Sequence, residues 1–415
     1  MREMKDSGIE WIGQIPKDWD VVPHKRVMHK VKKICEQYSG EDIISLTMNG
    51  VIKRDLTAGG KMPTSFDGYQ YVKQNDLLLC LFDIDVTPRC VGVVKDYGVT
   101  SPAYSRFVMH DGYYNAYYDY LLRAIDDDKV FVHLSKNLRS SLTESDFGAI
   151  KTCVPSLAEQ KRIVTFLDAQ CAEIDAVLEK TRASIEEYKK LKQAVITQAV
   201  TKGIRGDRPM KNSGIEWIGE IPAEWGVVPH KRIMHKVKEI CEQYNGEDII
   251  SLTVNGVVKR DLTAGGKMPT SFDGYQYVEP NDLLLCLFDI DVTPRCVGVV
   301  RDYGVTSPAY SRFVMHDGYY NAYYDYLLRM IDDNKVFVHL SKNLRSSLTE
   351  SDFGAIKTCA PPLAEQKCIA AFLDVRCDEI DALIAKKQQY LTEIETYKKS
   401  LIYEYVTGKK EVHPL

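Results

Sequence analysis

Two long stretches of the chain carry apolar residues at alternating steps of three and four positions, the repeat of an amphipathic helix. Neither stretch contains an internal proline or glycine, and each is preceded by proline and followed by glycine. The pattern therefore predicts two long helices with near-heptad character. The first runs from about 157 to 202, with apolar residues at Ile163, Leu167, Ile174, Val177, Leu178, Ile185, Tyr188, Leu191 and Val195. The second repeats this pattern at Ile369, Leu373, Ile380, Leu383, Ile384, Tyr390, Leu391, Ile394, Tyr397 and Leu401.

Shorter patterns precede each long helix and predict a mixed α/β region. Residues 42–47 alternate in polarity and end at Asn49-Gly50, a pair that favours a tight hairpin turn. Continuous apolar runs of strand length are typical of buried strands. In the first copy, further strands are predicted at 77–82, 90–94 and 106–109, and a helix at 115–125.

Five tyrosines crowd the start of this predicted helix and the turn before it. They could form a stacking platform for nucleic-acid bases, or they could pack on the helix with their polar tips near the surface. The pattern favours packing, and both interpretations stay open at this point. The residues are Tyr113, Tyr114, Tyr117, Tyr118 and Tyr120.

An internal repeat with an offset of 206 positions dominates the chain. Residues 7–153 and 213–359 differ at only 14 of 147 positions, whereas the long helices that follow keep their pattern but few residues. A period of this length indicates a duplicated domain pair, not a solenoid. The predicted organisation is a first head at 1–154, a long helix at 155–203, a linker at 204–212, a second head at 213–360 and a second long helix at 361–408.

Each long helix needs a partner for its apolar stripe, and the other long helix is the obvious one. Antiparallel and parallel pairing both fit the residues, and in a third arrangement each helix packs only on its own head. Equal lengths and a duplicated origin favour a two-fold arrangement.

The composition limits the classes of protein that fit. No apolar run approaches the roughly 20 residues of a membrane helix, and the first ten residues lack the apolar core of a signal peptide. We therefore expect a cytoplasmic protein that does not enter a membrane. The eleven cysteines are odd in number, form no C-x-x-C pair and mostly sit in apolar strings, which predicts buried free thiols.

Motifs of common enzymatic chemistry are absent from the sequence. It has no G-x-x-x-x-G-K-[ST] loop, no G-x-G-x-x-G after a strand and no Asn/Asp-Pro-Pro-aromatic loop of the kind that amino-methyltransferases need. Asp83 and Asp85 form an acidic pair, but no third ligand accompanies them, and the histidines are scattered. We therefore predict a chain without a catalytic site, a metal or a cofactor.

Positive and polar residues on predicted loops remain as candidates for function. Arginine, lysine and asparagine suit contacts with phosphates and base edges. Because the net charge is −4, a DNA-binding chain must concentrate its cations on one face. The candidate DNA contacts are Arg54, Lys61, Arg89, Tyr104, Arg106, Lys136, Asn137 and Arg139 in the first head, and Arg260, Lys267, Arg295, Tyr310, Arg312, Lys342, Asn343 and Arg345 in the second.

Three motifs resemble the specificity subunits of type I restriction-modification systems. GIEWIGQIP at 8–16, followed by Trp19, resembles the opening of that family. PSLAEQ at 155–160, and PLAEQ at 362–366, resemble its helical region. Each of these two segments is followed by a Phe-Leu-Asp triplet, at 166–168 and 372–374. The resemblance covers essentially the whole chain.

The resemblance implies a fold and a set of partners. Each head would be a target recognition domain for half of a split site in double-stranded DNA, and the long helices would pair as an antiparallel coiled coil. Two methyltransferase subunits and two motor-nuclease subunits would supply the catalysis. The helix faces outside the coil would be the docking surface for the methyltransferase subunits.

This chain departs from the family in one respect that affects its target. Family members usually carry two dissimilar heads, whereas these heads are nearly identical. Two like heads about a pseudo-two-fold axis would read the same half-sequence on opposite strands, so we expect an interrupted inverted repeat.

Two other functions fit parts of the sequence. The acidic net charge favours a scaffold of two duplicated heads on a coiled coil that does not bind DNA. A nuclease or methyltransferase with an unrecognised site is the second alternative. Binding to duplex DNA that weakens with salt would argue against the scaffold, and activity of the purified single chain would support the enzyme.

Overall fold

The computed structural model describes residues 2–48, 50–57, 63–87, 89–135, 140–263, 269–293, 295–341 and 346–412. The chain divides into two compact units, Met1–Arg182 with Gln389–Leu415, and Ala183–Gln388. Each unit therefore contains one head, the first part of the long helix that follows this head, and the last part of the other long helix.

The first head consists of short strands and three short helices, and a long helix follows it. The strands are β1 (Met4–Asp6), β2 (Gln14–Pro16), β3 (Asp20–Pro23), β4 (Met28–Val31), β5 (Ile44–Thr47), β6 (Gly50–Lys53), β7 (Gln70–Val72), β8 (Leu77–Leu79), β9 (Val91–Val93), β10 (Gly98–Thr100), β11 (Ser105–Met109) and β12 (Lys151–Val154). A 3-10 helix spans His24–Arg26, and the α-helices are α1 (Asn115–Asp127), α2 (Val130–Leu134), α3 (Glu144–Ala149) and α4 (Leu157–Lys202).

The second head repeats these elements in the same order. Its strands are β13 (Met210–Asn212), β14 (Glu220–Pro222), β15 (Gly226–Pro229), β16 (Met234–Val237), β17 (Ile250–Thr253), β18 (Gly256–Lys259), β19 (Gln276–Val278), β20 (Leu283–Leu285), β21 (Val297–Val299), β22 (Gly304–Thr306), β23 (Ser311–Met315) and β24 (Lys357–Ala360). A 3-10 helix spans His230–Arg232, and the α-helices are α5 (Asn321–Asp333), α6 (Val336–Leu340), α7 (Glu350–Ala355) and α8 (Leu363–Val406).

A four-stranded antiparallel sheet forms the centre of each head. In the first head the strand order is β4-β11-β8-β9, and in the second it is β16-β23-β20-β21. Helix α1 packs on β9, and apolar residues of the sheet and of α1 share one buried core. Smaller two-stranded pairs surround this sheet, among them β1-β2, β12-β3 and β10-β7.

The hairpin predicted from the alternating residues 42–47 and the Asn49-Gly50 pair is confirmed. Strands β5 and β6 pair in register, with Thr47 opposite Gly50, whose φ of +94° favours glycine at the turn. Gly92 of β9 lets the hairpin lie flat on the sheet, because a Cβ there would come within 2.7 Å of the Val51 side chain. The hairpin therefore rests on the core of the head instead of extending freely into solvent.

The strand predicted at 77–82 is shorter than expected. It ends at Leu79, and the chain then turns at Asp83, whose φ is +45°. Cys80 still extends the pairing by one backbone hydrogen bond, from its N–H to the carbonyl of Cys90 at 2.8 Å. Cys80 and Leu81 are buried, so the apolar run continues past the end of the strand.

The long helices match their predicted extents, and each ends at a glycine with positive φ, Gly203 (+77°) or Gly408 (+70°). Ion pairs fix their direction within each unit. In the first unit Asp175 pairs with Lys398 and Arg182 with Glu395, both at 2.6 Å. The partner number falls as the residue number rises, so the helices are antiparallel.

The second unit has the same antiparallel arrangement. Lys192 forms an ion pair with Asp381 at 2.6 Å, and the Lys387 ammonium lies 5.6 Å from the centre of the Tyr188 ring. The helix pairing that the residues left open is therefore antiparallel in both units.

The seam between the helices follows a regular four-three repeat of buried and half-buried residues. In the first unit it contains Leu167, Cys171, Ile174, Leu178 and Thr181 of α4 with Leu391, Ile394, Lys398, Leu401 and Tyr405 of α8. In the second unit it contains Ile185, Tyr188, Lys192, Val195 and Ala199 of α4 with Leu373, Cys377, Ile380, Ile384 and Lys387 of α8.

Five residues predicted for the seam lie outside it and are exposed. Each stands one position before a seam residue; Val177, for example, is 39% exposed, whereas Leu178 is 4% exposed. At most of these places two apolar residues are adjacent in the sequence, and either could have been buried in the seam. The heptad register buries the second residue of each pair and leaves the first exposed. The corrected residues are Val177, Leu191, Leu383, Tyr390 and Tyr397.

The C-terminal end of each long helix is part of the core of a head. In the first unit, the Tyr117 hydroxyl donates a hydrogen bond of 2.7 Å to the backbone carbonyl of Val406. In the second unit, Tyr323 donates at 2.8 Å to the carbonyl of Val200. Both valines are fully buried.

The N-terminal end of each long helix is fixed by a carboxylate. Glu159 accepts hydrogen bonds from Arg2 (2.5 Å) and from the Trp19 indole (2.9 Å). Glu365 accepts from Arg208 and Trp225 in the same way. Because this carboxylate joins two segments of the head to the helix, it orients the head on the helix.

The prediction of free thiols is confirmed, since all eleven cysteines are unpaired and all except Cys368 are buried. Within the described ranges, no helix has the length and apolar character needed to span a membrane.

Candidate nucleic-acid interface

Half of the predicted DNA contacts lie outside the described residues. They belong to the Gly-rich loop after the hairpin and to the polar loop before α3, and to the equivalent loops of the second head. These residues are Lys61, Lys136, Asn137, Arg139, Lys267, Lys342, Asn343 and Arg345.

Arg106 is buried inside the head, which the sequence did not indicate. Its side chain is buried, its Nε donates to Asp76 at 2.6 Å and its Nη1 donates to the carbonyl of Tyr71 at 3.1 Å. Arg312 makes the equivalent buried contacts in the second head. Both guanidinium groups therefore link strands of the head, and we remove them from the candidate DNA contacts.

Arg54 and Tyr104 lie close together at the end of the hairpin. The Arg54 backbone N–H donates to the carbonyl of Ile43 at 2.8 Å, and its side chain is half-buried. Burial raises the pKa of the Tyr104 phenol, and the positive charge of Arg54 partly opposes this shift. Arg260 and Tyr310 have the same relation. This pair can present one cation and one aromatic edge on each head.

Arg89 lies beside an acidic group on α1. Burial raises the pKa of Asp119, and the charges of Arg123 and Arg89 partly offset that effect. Arg123 also forms an ion pair with Asp119 at 2.5 Å. Arg89 is therefore half-buried next to a carboxylate that neutralises part of its charge, as is Arg295 in the second head.

The tyrosine cluster of α1 belongs mainly to the core. Tyr117 and Tyr118 are fully buried, with ring centres 5.1 Å apart in an edge-on arrangement. The Tyr120 hydroxyl donates to Asp168 of the long helix at 2.8 Å. The packing interpretation is therefore correct for these three residues.

A group of cations outside the list of candidate DNA contacts is exposed on each head. We call it the basic ridge; it begins in the 3-10 helix and continues along and just beyond β4. It consists of Lys25, Arg26, Lys30 and Lys32 in the first head, and Lys231, Arg232, Lys236 and Lys238 in the second. The sequence signal was a run of cations without an acidic residue, from 21 to 35.

Two stacked histidines stand beside the basic ridge. His29 of β4 and His110 after β11 have ring centres 4.7 Å apart, and His235 and His316 repeat this arrangement. Both rings of each pair are exposed. They extend the polar surface of the ridge across the edge of the sheet.

No metal centre is present in the described part of the chain, where no group of three or more histidine, cysteine, aspartate or glutamate side chains could hold an ion. The acidic pair Asp83 and Asp85 stays without a third ligand there.

Comparison with known proteins gives matches along the whole chain. No family model matches it. A Methanocaldococcus jannaschii protein provisionally named type I restriction enzyme MjaX specificity subunit is 24% identical over an alignment of 435 residues, covering 97% of this chain and 96% of the relative. The type I restriction enzyme MjaVIII specificity subunit of the same organism is 26% identical over 291 residues, covering 65% of this chain and 64% of the relative.

The resemblance to type I restriction specificity subunits is confirmed. The fold agrees as well: a chain solved in work on complex assembly and conformational transition of the type I R-M system superposes with a TM-score of 0.71 at 15% identity, covering 95% of this chain and 99% of that chain. The predicted fold class, two mixed α/β heads with two long antiparallel helices, is therefore confirmed, and that chain shares it. Both relatives bear the name of the specificity subunit, which agrees with the prediction of a non-catalytic chain.

Proposed function

We propose that this chain is the DNA-reading subunit of a type I restriction-modification complex and that it reads a bipartite site in double-stranded DNA. The observation that carries the proposal is the similarity, over 97% of the chain, to a relative provisionally named as a specificity subunit. The duplicated heads agree with a site of two parts, one part for each head. In this proposal the chain supplies recognition, and its partners supply catalysis.

The near-identity of the heads defines the expected target. The 14 differences leave Arg54, Tyr104 and Arg89 unchanged at Arg260, Tyr310 and Arg295. Like heads read like sequences, and their duplicated origin favours a two-fold arrangement in which they would read opposite strands. The proposed target is therefore an interrupted inverted repeat.

Two methyltransferase subunits and two motor-nuclease subunits are the proposed protein partners. Residues just outside the seam offer an apolar surface for the methyltransferase subunits. In the first unit this surface includes Val177, Tyr390 and Tyr397, and in the second it includes Leu191 and Leu383. Exposed apolar residues on one side of a helix pair are typical of a protein interface.

The proposal is tested by reconstitution with a type I methyltransferase subunit from the source organism. Transfer of methyl groups from S-adenosylmethionine to host DNA is measured for the chain alone, for the methyltransferase subunit alone and for the pair. We expect methylation only by the pair, because the chain has the reading heads and its partner has the chemistry.

Two results would contradict the proposal. Methylation or cleavage by the chain alone would favour the enzyme alternative. A pair that shows no salt-dependent binding to duplex DNA would favour the scaffold, which the net charge of −4 makes the better of the two alternatives.

A further inference from the structure

We propose that the basic ridge of each head is a phosphate-contacting surface, which holds the backbone of duplex DNA without reading its sequence. This inference rests on the proposed function, and it assigns the positioning part of DNA binding to residues other than the predicted loop contacts. Phosphate contacts fix the register of a protein on DNA, whereas base contacts select the sequence.

The charge of the ridge differs from that of the rest of the chain. Between Asp20 and Glu36 there is no acidic residue, although the whole chain has 58 acidic and 54 basic residues. A chain with net negative charge binds DNA only where its cations are concentrated, because distant charges are screened within about 10 Å at ordinary salt. The ridge is such a concentration, and it occurs once in each head.

The basic ridge lies on a part of the head whose backbone is held by hydrogen bonds and strand pairing. His24, the first residue of the 3-10 helix, is fully buried, and its backbone N–H donates to the carbonyl of Ile150 at 2.9 Å. Strand β4 pairs with β11 from Met28 to Val31. Lys25, Arg26 and Lys32 therefore extend into solvent from a fixed backbone, which lowers the cost of ordering them on a ligand.

The ridge borders a concavity in the second head. Lys231, His235 and Lys236 line a depression of about 560 Å³, together with Glu350 of α7. The Lys236 ammonium lies 3.5 Å from the Glu350 carboxylate, and Lys30 lies 3.3 Å from Glu144 in the first head, so these two lysines are partly neutralised. The depression is open and has Lys231 on its lining, which suits a phosphodiester backbone better than a small enclosed ligand.

The difference between the heads marks where the ridge ends. The residue after Lys32 is Lys33, whose ammonium lies 5.4 Å from the centre of the Tyr71 ring. Its equivalent is Glu239, which lies 3.8 Å from Arg312. A position that reverses its charge between two heads of like function is not part of a shared phosphate contact, so the ridge stops at Lys32 and Lys238.

The test compares two variants of the full chain in complex with its methyltransferase subunit. The ridge variant is K25Q/R26Q/K32Q, and the matched control is K17Q/K73Q/K95Q, which removes three exposed cations from other parts of the same head and changes the net charge equally. Affinity for a fluorescein-labelled duplex of mixed sequence is measured by anisotropy over a series of salt concentrations.

We expect the salt dependence of binding to become shallower only in the ridge variant. If each cation neutralises one phosphate, the slope of log K against log salt falls by about 2.7. Restoring the charges as K25R/R26K/K32R should restore most of the slope. The unfolding midpoints of all variants should stay close to that of the wild type, because the substituted residues are exposed.

Three outcomes would overturn the inference. Equal losses in the ridge variant and the control would assign the effect to net charge, and no loss in either would remove the ridge from the interface. A ridge variant that methylates a different half-sequence would show that these residues read bases. If the wild-type complex binds no duplex at all, the proposed function fails, and this inference fails with it.

Discussion

Arginines of similar appearance in the sequence have different roles in the head. Arg54 follows a predicted strand and Arg106 begins one, yet Arg54 is half-buried at the surface and Arg106 is buried against Asp76. Local sequence cannot separate them, because the aspartate that pairs with Arg106 lies 30 positions away in the chain. A buried carboxylate needs such a partner, since an unpaired charge in the core is strongly destabilising.

The clearest prediction at the scale of single residues concerns His24 and His230. Burial lowers the pKa of each imidazole to about 4 from an ordinary value of 6.5. The unfolded chain therefore binds a proton that the folded chain excludes, so stability is complete above about pH 6.5 and is lost as the pH falls toward 4. The loss should be on the order of 3 kcal/mol for each histidine.

The measurement is the thermal unfolding midpoint at about pH 7.5 and about pH 4.5. The variant H24F/H230F should lose less stability between these two values than the wild type does. His133 is exposed, so H133N serves as the control and should behave like the wild type. An acid loss of equal size in H24F/H230F and in the wild type would refute this account.

The long helices show what a sequence pattern can and cannot determine. The absence of proline and glycine and the position of Gly203 predicted the extent of α4, which ends at Lys202. The pattern did not decide between Val177 and Leu178, since both are apolar and adjacent. Only the ion pairs with the other helix fix the register that buries Leu178.

This register predicts a difference between two neighbouring residues. Leu178 is 4% exposed in the seam, so L178A should cost about 2–5 kcal/mol by removing buried methyl groups. V177A should change stability by less than about 0.5 kcal/mol, because Val177 is exposed. Urea unfolding of the two variants measures both effects, and equal losses would show that the seam has been assigned to the wrong residues.

For the whole molecule, the duplication predicted more than any single motif did. The repeat predicted two heads, each followed by a long helix, and the structure has the same order of strands and helices in both copies. The candidate site was less predictable, because side chains from distant strands decide which cations are exposed. The basic ridge illustrates this limit: its cations were visible in the sequence, but their common exposure depends on the burial of His24 and Met28.

The most direct test of the account is the methylation pattern that the complex leaves on DNA. The chain and its methyltransferase subunit are expressed in a host without related systems, and modified adenines are mapped by single-molecule sequencing. We predict one half-sequence that occurs twice as an interrupted inverted repeat, with methylation on both strands, because two nearly identical heads read it. Two unrelated half-sequences, or no sequence-specific methylation, would contradict the account.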